Sequence, residues 1–193
     1  MCCGTKRLTE IQCPPDCGYL ESARAHPPAV VQRQQERDTG FILPLLAGLS
    51  QHQYQLLFLV QGTLHKLAES IEIAVDDQVI RESAQALAST YETASKGIIY
   101  DHRPPSLAAE RVMNDMKTFL KTPDDQKPLA SDRDLMEVFQ RVERAATEAG
   151  SALDGGPRAY LELLGRLMRP TTGESSDSKD TEAPSSEPRV IVP

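Results

Sequence analysis

The sequence has no tryptophan, and its aromatic residues together amount to only 5% of 193 residues. A buried core must therefore consist mainly of Leu, Ile, Val and Ala. Long apolar runs are also missing: the most apolar stretch, residues 41–49, is too short to cross a bilayer and contains Pro44. Because no signal-like apolar segment occurs near the start, we expect a cytoplasmic protein with no membrane association.

Positive charge is scarce as well, with 21 Lys and Arg against 28 Asp and Glu and a formal net charge of −7. Nucleic-acid binding depends on clustered cations that displace the counterions of the phosphate backbone. We therefore expect no nucleic-acid partner. The length suits one domain with shorter segments at its ends.

What the sequence does contain is a strong helical period. Apolar residues recur at alternating spacings of three and four, which predicts amphipathic helices, over about 50–75, 76–100, 107–120, 132–153 and 157–168. No stretch alternates apolar and polar residues as a half-buried strand does. The pattern predicts an all-α fold, an antiparallel bundle of about five main helices, with the first two of these helices joined as a hairpin.

Composition divides the chain into three parts. Residues 1–40 form a cysteine-rich module with short helices, the second of them ending near Asp38 and Gly40, and residues 41–170 form the helical bundle. Residues 171–193 are rich in Ser, Thr, Asp, Glu and Pro, which predicts a disordered acidic tail. Its one apolar segment, Arg189-Val190-Ile191-Val192, could dock into a groove or add to a sheet edge.

All four cysteines lie in the first 17 residues, at Cys2, Cys3, Cys13 and Cys17. The Cys13–Cys17 spacing is within the range of paired zinc ligands, and the earlier pair could complete a tetrahedral site. Adjacent cysteines diverge along an extended chain, so His26 could replace Cys2 as the fourth ligand. The sequence thus predicts a structural zinc site. Free thiols, a redox pair of Cys13 and Cys17, and an iron–sulfur cluster are the alternatives.

Within the bundle, a polar and aromatic cluster is predicted at the end of the second long helix. Tyr91, Glu92, Tyr100 and His102 are the candidates for binding a cofactor or small ligand there. Gly97 is predicted to lie inside the same helix, where glycine is unfavourable, so it indicates a close helix crossing or a ligand. A helix-ending group of polar residues explains the same side chains without any ligand.

No catalytic or phosphate-binding motif is present in the sequence. We therefore expect a non-enzymatic module that binds another protein, through an exposed bundle face or the apolar segment of the tail; the partner's identity does not follow from the sequence. The apolar stripes could equally support a homo-oligomer. The alternatives are a thiol-based redox sensor that uses Cys13 and Cys17, and a helical enzyme that depends on a metal or small ligand.

Overall fold

The structure, a computed structural model, describes Gly18 and residues 29–70, 74–121 and 129–169. These residues form six α-helices, joined at one point by the short 3-10 helix Gly156–Arg158. The helices are α1 (Ala29–Leu46), α2 (Gln51–Ser70), α3 (Asp77–Ser95), α4 (Leu107–Leu120), α5 (Asp132–Ala152) and α6 (Ala159–Met168). No strand occurs in this part of the chain, and the predicted all-α bundle is confirmed.

The buried core follows the predicted stripes closely. The apolar residues that recur at spacings of three and four along α5 are all buried: Leu135, Val138, Val142, Ala145, Ala149 and, just past its end, Leu153. The stripes of α2 and α3 are buried through Leu64 and Leu87. They fail at their ends: Ala74 and Ile98 are exposed, because α2 does not include residue 74 and α3 ends at Ser95.

Helix starts are set by side-chain caps. Asp76, Ser106 and Ser131 each accept a hydrogen bond from the backbone N–H three residues later, at the starts of α3, α4 and α5. Of the two candidates that the sequence offers at each of two starts, Asp76 or Asp77 and Ser131 or Asp132, the structure has Asp76 and Ser131 as the caps.

Gly97 is not inside a helix, contrary to our expectation. It has a φ of +79° and follows α3 in a Schellman motif, in which Gly97 N–H donates to Ala94 and Ile98 N–H donates to Thr93. A Cβ at Gly97 would meet nothing within 4 Å, so conformation and not crowding explains the glycine.

The first helix is longer than predicted. It runs through Asp38, Gly40 and Pro44 as one 18-residue helix instead of ending near residue 40. Asp38 does not act as a helix-ending residue because its carboxylate bonds Arg166 on α6. Gly40 is tolerated at a cost of about 1 kcal/mol.

The four central helices pack in a ring. α3 contacts α5 most extensively and also contacts α4, while α2 contacts both α4 and α5. α2 and α3 barely touch, so they lie diagonally across the ring and the predicted hairpin of these two helices is wrong. Periodicity showed that both helices bury one stripe, but it carries no information about which neighbour covers it.

Helix directions within the ring are mixed. α3 and α5 are antiparallel, since Tyr91 near the end of α3 stacks on Phe139 in the first half of α5. α4 instead runs parallel to α3: Ser106 at its start bonds Glu82, and Leu120 at its end lines a cavity with Tyr91. This direction is set by residues 98–106, which return along α3 and are held by the His102 N–H donating to Thr90 Oγ1 at 3.0 Å.

None of the helices described here is both long enough and apolar enough to traverse a bilayer.

Candidate functional site

The predicted zinc ligands Cys2, Cys3, Cys13, Cys17 and His26 lie outside the described residues. Within residues 29–70, 74–121 and 129–169, no three His, Cys, Asp or Glu side chains are grouped so that they could hold a metal ion. The zinc site therefore stays a prediction.

The four ligand-binding candidates of the bundle do not form one site. Tyr91 stacks on Phe139 with 5.9 Å between ring centroids, and burial raises the pKa of its phenol to about 12, with smaller contributions from Asp132 and Asp101. It lines a cavity of about 390 Å³, together with Lys117. In that cavity the Lys117 ammonium is already paired with Asp101 at 2.7 Å, which leaves the two charges satisfied by one another.

Glu92, Tyr100 and His102 lie outside that cavity's lining. Glu92 pairs with Lys96 on its own helix at 2.7 Å, and this hydrogen bond lowers the pKa of its carboxyl. Tyr100 is exposed and meets the edge of the His102 ring, with 4.8 Å between centroids. The His102 Nε2 atom is buried and has no hydrogen-bond partner among the described residues. This arrangement fits the structural alternative, a polar helix end, better than a ligand site.

A different feature stands out: a groove between α1, α2 and the end of α6, with a volume of about 810 Å³. Its walls are mostly apolar, and several of the large side chains are exposed although they are hydrophobic. Val30 is 75% exposed and Leu43 61%. The apolar lining consists of Val30, Val31, Ile42, Leu43, Leu46, Tyr54, Phe58 and Leu167.

Helical spacing produces this surface. Groove residues of α1 follow one another at spacings of three and four, so they line the groove from one side of that helix: Val31, Gln35, Asp38, Ile42 and Leu46. On α2, Tyr54 and Phe58 are one turn apart, and their rings pack with 5.0 Å between centroids. The groove therefore has an aromatic wall on α2 and an aliphatic wall on α1.

An ion pair lies between α1 and α6 at the groove. Arg166 Nε and Nη2 each donate to a carboxylate oxygen of Asp38 at 2.8 Å, and Gln34 Nε2 adds a third bond to Asp38 at 2.8 Å. Asp38 is buried, and its hydrogen bond raises the pKa of Arg166 above its usual value. The bidentate geometry fixes the distance between the two helices, and therefore the width of the groove.

The charge around the end of α6 is positive, although the whole chain is negative. Asp38, Arg166 and Arg169 are the charged residues of the groove, and Arg169 forms no ion pair with another described residue. The neighbouring surface adds Lys66 and Arg158, against Glu69 and Glu162. This end of the groove favours an acidic ligand.

Two buried contacts hold α6 in place. Asp77 at the start of α3 accepts the N–H groups of Tyr160 (2.8 Å) and Leu161 (3.2 Å), and α6 has no side-chain cap of its own. Gln61 of α2 donates to the buried Tyr160 hydroxyl at 3.0 Å, while burial raises the pKa of that phenol. The side of the groove formed by α6 is thus rigidly placed.

The groove was not found from the sequence. By sequence, Val30 and Val31 fall in the cysteine-rich module and Leu43 in the most apolar stretch. Leu167, at the end of the last predicted helix, is expected in the core, but the structure leaves it 38% exposed. A usable signal was present: α1 carries more large apolar residues than a single buried stripe needs. Other exposed apolar side chains outside the groove are Ile98, Ile99 and Tyr100, just after α3, and Leu107, at the start of α4.

No known family model matches this chain, and neither a curated protein nor a solved structure does so.

Proposed function

We propose that this chain is a non-enzymatic protein-binding module whose groove between α1, α2 and α6 takes an apolar segment of a partner protein. The observation that carries the proposal is the set of exposed large apolar side chains around one concave surface. Exposed apolar surface of this kind is costly in water and typically marks an interaction site.

The chemistry of the groove specifies the kind of segment. Aliphatic and aromatic walls suit a short peptide with two or three large apolar side chains, as in helix-in-groove recognition. Arg169, which forms no ion pair with another described residue, and the nearby Lys66 favour an acidic residue at the α6 end of that peptide. The paired Asp38 and Arg166 provide a fixed polar contact in the groove lining, between α1 and α6.

The proposal is tested by selecting peptides from a random display library on the full chain and measuring the affinity of the enriched ones. We expect enriched peptides to combine large apolar residues with Asp or Glu. Leu43→Asp should weaken their binding at least tenfold, because burial of a leucine side chain is worth about 1.5–3 kcal/mol. Leu43 is 61% exposed, so the variant should fold, which circular dichroism would verify.

Leu107→Asp is the matched control. Leu107 is 82% exposed, lies at the start of α4 and does not belong to the lining of the groove. Peptides that tolerate Leu43→Asp but lose binding with Leu107→Asp would place the interaction at the start of α4 and contradict the proposal.

Zinc binding by Cys2, Cys3, Cys13 and Cys17, with His26 as a substitute ligand, is a separate proposal that rests on cysteine spacing. Metal analysis of protein purified without added zinc, with a count of reactive thiols, tests it. About one zinc per chain with protected thiols would support a structural site. Metal-free protein with reactive thiols would support the redox alternative instead.

A further inference from the structure

We propose that the groove is occupied in cis by the chain's own segment Val190-Ile191-Val192, which competes with the partner. This inference rests on the proposed function, since it assigns a regulator to the same groove. The segment belongs to the residues that the structure does not describe. Three features of the described residues and the sequence point to it.

The first feature is the position of the groove relative to the tail. Leu167 and Arg169, at the end of α6, are part of the groove lining, and Arg169 is the last described residue. The chain therefore continues from the rim of the groove itself. Any apolar segment that follows is tethered beside this surface.

The second feature is reach. Residues 170–189, twenty in number, separate Arg169 from Val190. A flexible linker of that length has a root-mean-square span of about 25 Å, and a charged linker that contains prolines, as this one does, has a longer one. The groove cannot be longer than α1, whose 18 residues extend about 27 Å. The span of the linker is therefore sufficient to bring Val190 to any point of the groove. A tethered segment in this situation has an effective concentration on the order of millimolar.

The third feature is complementarity. Val190, Ile191 and Val192 are the only large apolar residues after Met168, and the groove offers aliphatic and aromatic walls of the same character. Residues 170–189 are net acidic, whereas the α6 end of the groove carries Arg169, which has no ion pair among the described residues, and beside it Lys66 and Arg158 against Glu69 and Glu162. The acidic residues of this stretch are Glu174, Asp177, Asp180, Glu182 and Glu187, offset by Lys179 and by Arg189, which directly precedes Val190.

The full chain with labelled Ile, Leu and Val methyl groups tests the proposal by NMR. We expect nuclear Overhauser contacts between the Ile191 methyl and those of Leu43 or Leu167. Ile191→Ser should shift the groove methyl resonances, whereas Ala183→Ser, a change elsewhere in the tail, should leave them unchanged. Absence of both the contacts and the shifts would overturn the proposal.

A sample that mixes labelled and unlabelled copies separates the occupants. Contacts that remain within one molecule on dilution support docking in cis. Contacts found only between labelled and unlabelled molecules would mean that a second copy fills the groove, and the cis proposal would fail.

The affinity of the library-selected peptides gives the functional readout. With a millimolar effective concentration and a weak intrinsic affinity, removal of the competitor by Ile191→Ser should strengthen peptide binding about tenfold. If peptides bind and respond to Leu43→Asp but are indifferent to Ile191→Ser, only the tail proposal fails. If no peptide binds the groove under either condition, the proposed function fails too.

Discussion

Asp77 is the residue on which two helices depend. It occupies the first turn of α3, and its two carboxylate oxygens accept the first free N–H groups of α6, which begins 82 residues later at Ala159. Its neighbour Asp76 caps the start of α3 by accepting the N–H of Val79. Two adjacent aspartates therefore have different roles, one within a helix and one between helices.

We expect Asp77→Ala to lower the free energy of unfolding by about 2–3 kcal/mol, because two buried N–H groups lose their acceptor. Asp76→Ala removes an ordinary N-cap and should cost about 1 kcal/mol. Urea denaturation of both variants checks the order. Equal losses, or a larger loss for Asp76→Ala, would contradict the role assigned to Asp77.

The pH dependence of stability provides a second test of Asp77. Burial raises the pKa of its carboxyl above the ordinary 3.8, and the two backbone donors lower it by less. A raised folded pKa means that the associated stability is fully present below the unfolded pKa and is lost as pH rises through the folded pKa. The free energy of unfolding, compared with that of Asp77→Asn, should therefore fall as pH rises above 3.8. A difference that stays flat or rises would contradict the burial of this group.

At this scale the sequence predicts what is local. The caps Asp76 and Ser131 follow from their position before an apolar stripe, and the stripe of α5 is correct at all of its positions. The bond from Asp77 to α6 joins residues 83 apart, and no local pattern encodes it. Gly97 was predicted inside the helix because the apolar period of α3 continues to Ile98, although the positive φ of Gly97 ends the helix before it.

At the scale of elements, α1 is attached to the bundle by polar contacts as well as by its apolar stripe. Its Asp38 is held by Arg166 of α6, and Arg37 pairs with Asp154 just after α5 at 3.0 Å. The first pair is largely buried and bidentate, whereas the second is exposed. Only the first should contribute appreciably to the position of α1.

Asp38→Ala should therefore destabilise the protein by about 1–3 kcal/mol and leave Arg166 without its partner. Arg37→Ala, which breaks the exposed pair, should cost less than about 1 kcal/mol. Hydrogen exchange should locate the first effect in α1, with faster exchange after Asp38→Ala and little change after Arg37→Ala. Indistinguishable exchange in the two variants would show that the Asp38–Arg166 pair does not position α1.

The sequence predicted the helices better than their arrangement. Stripes indicate how much of a helix is buried, so α2 to α6 were found with errors mainly at their ends. Neighbours and directions depend on how connections run. Residues 98–106 return along α3 and make α4 parallel to it, which Pro104 and Pro105 alone do not reveal.

At the scale of the whole molecule, the ring of α2 to α5 forms the base on which α6 and α1 are placed. α6 is fixed on this base by Asp77 and Gln61, and α1 is fixed to α6 by Asp38. The groove lies between α1, α2 and the end of α6, and Arg169 in its lining directly precedes residues 170–193. The chain as a whole has a formal net charge of −7, whereas the charged residues of this apolar groove are two arginines and one aspartate.

The measurement that tests this account most directly is a methyl NMR titration of the full chain with the tightest selected peptide. The account predicts that the largest shifts occur at Val30, Val31, Leu43 and Leu167, with little change at Ile98, Ile99 and Leu107. Shifts confined to the latter three residues, or distributed without relation to the groove, would contradict it.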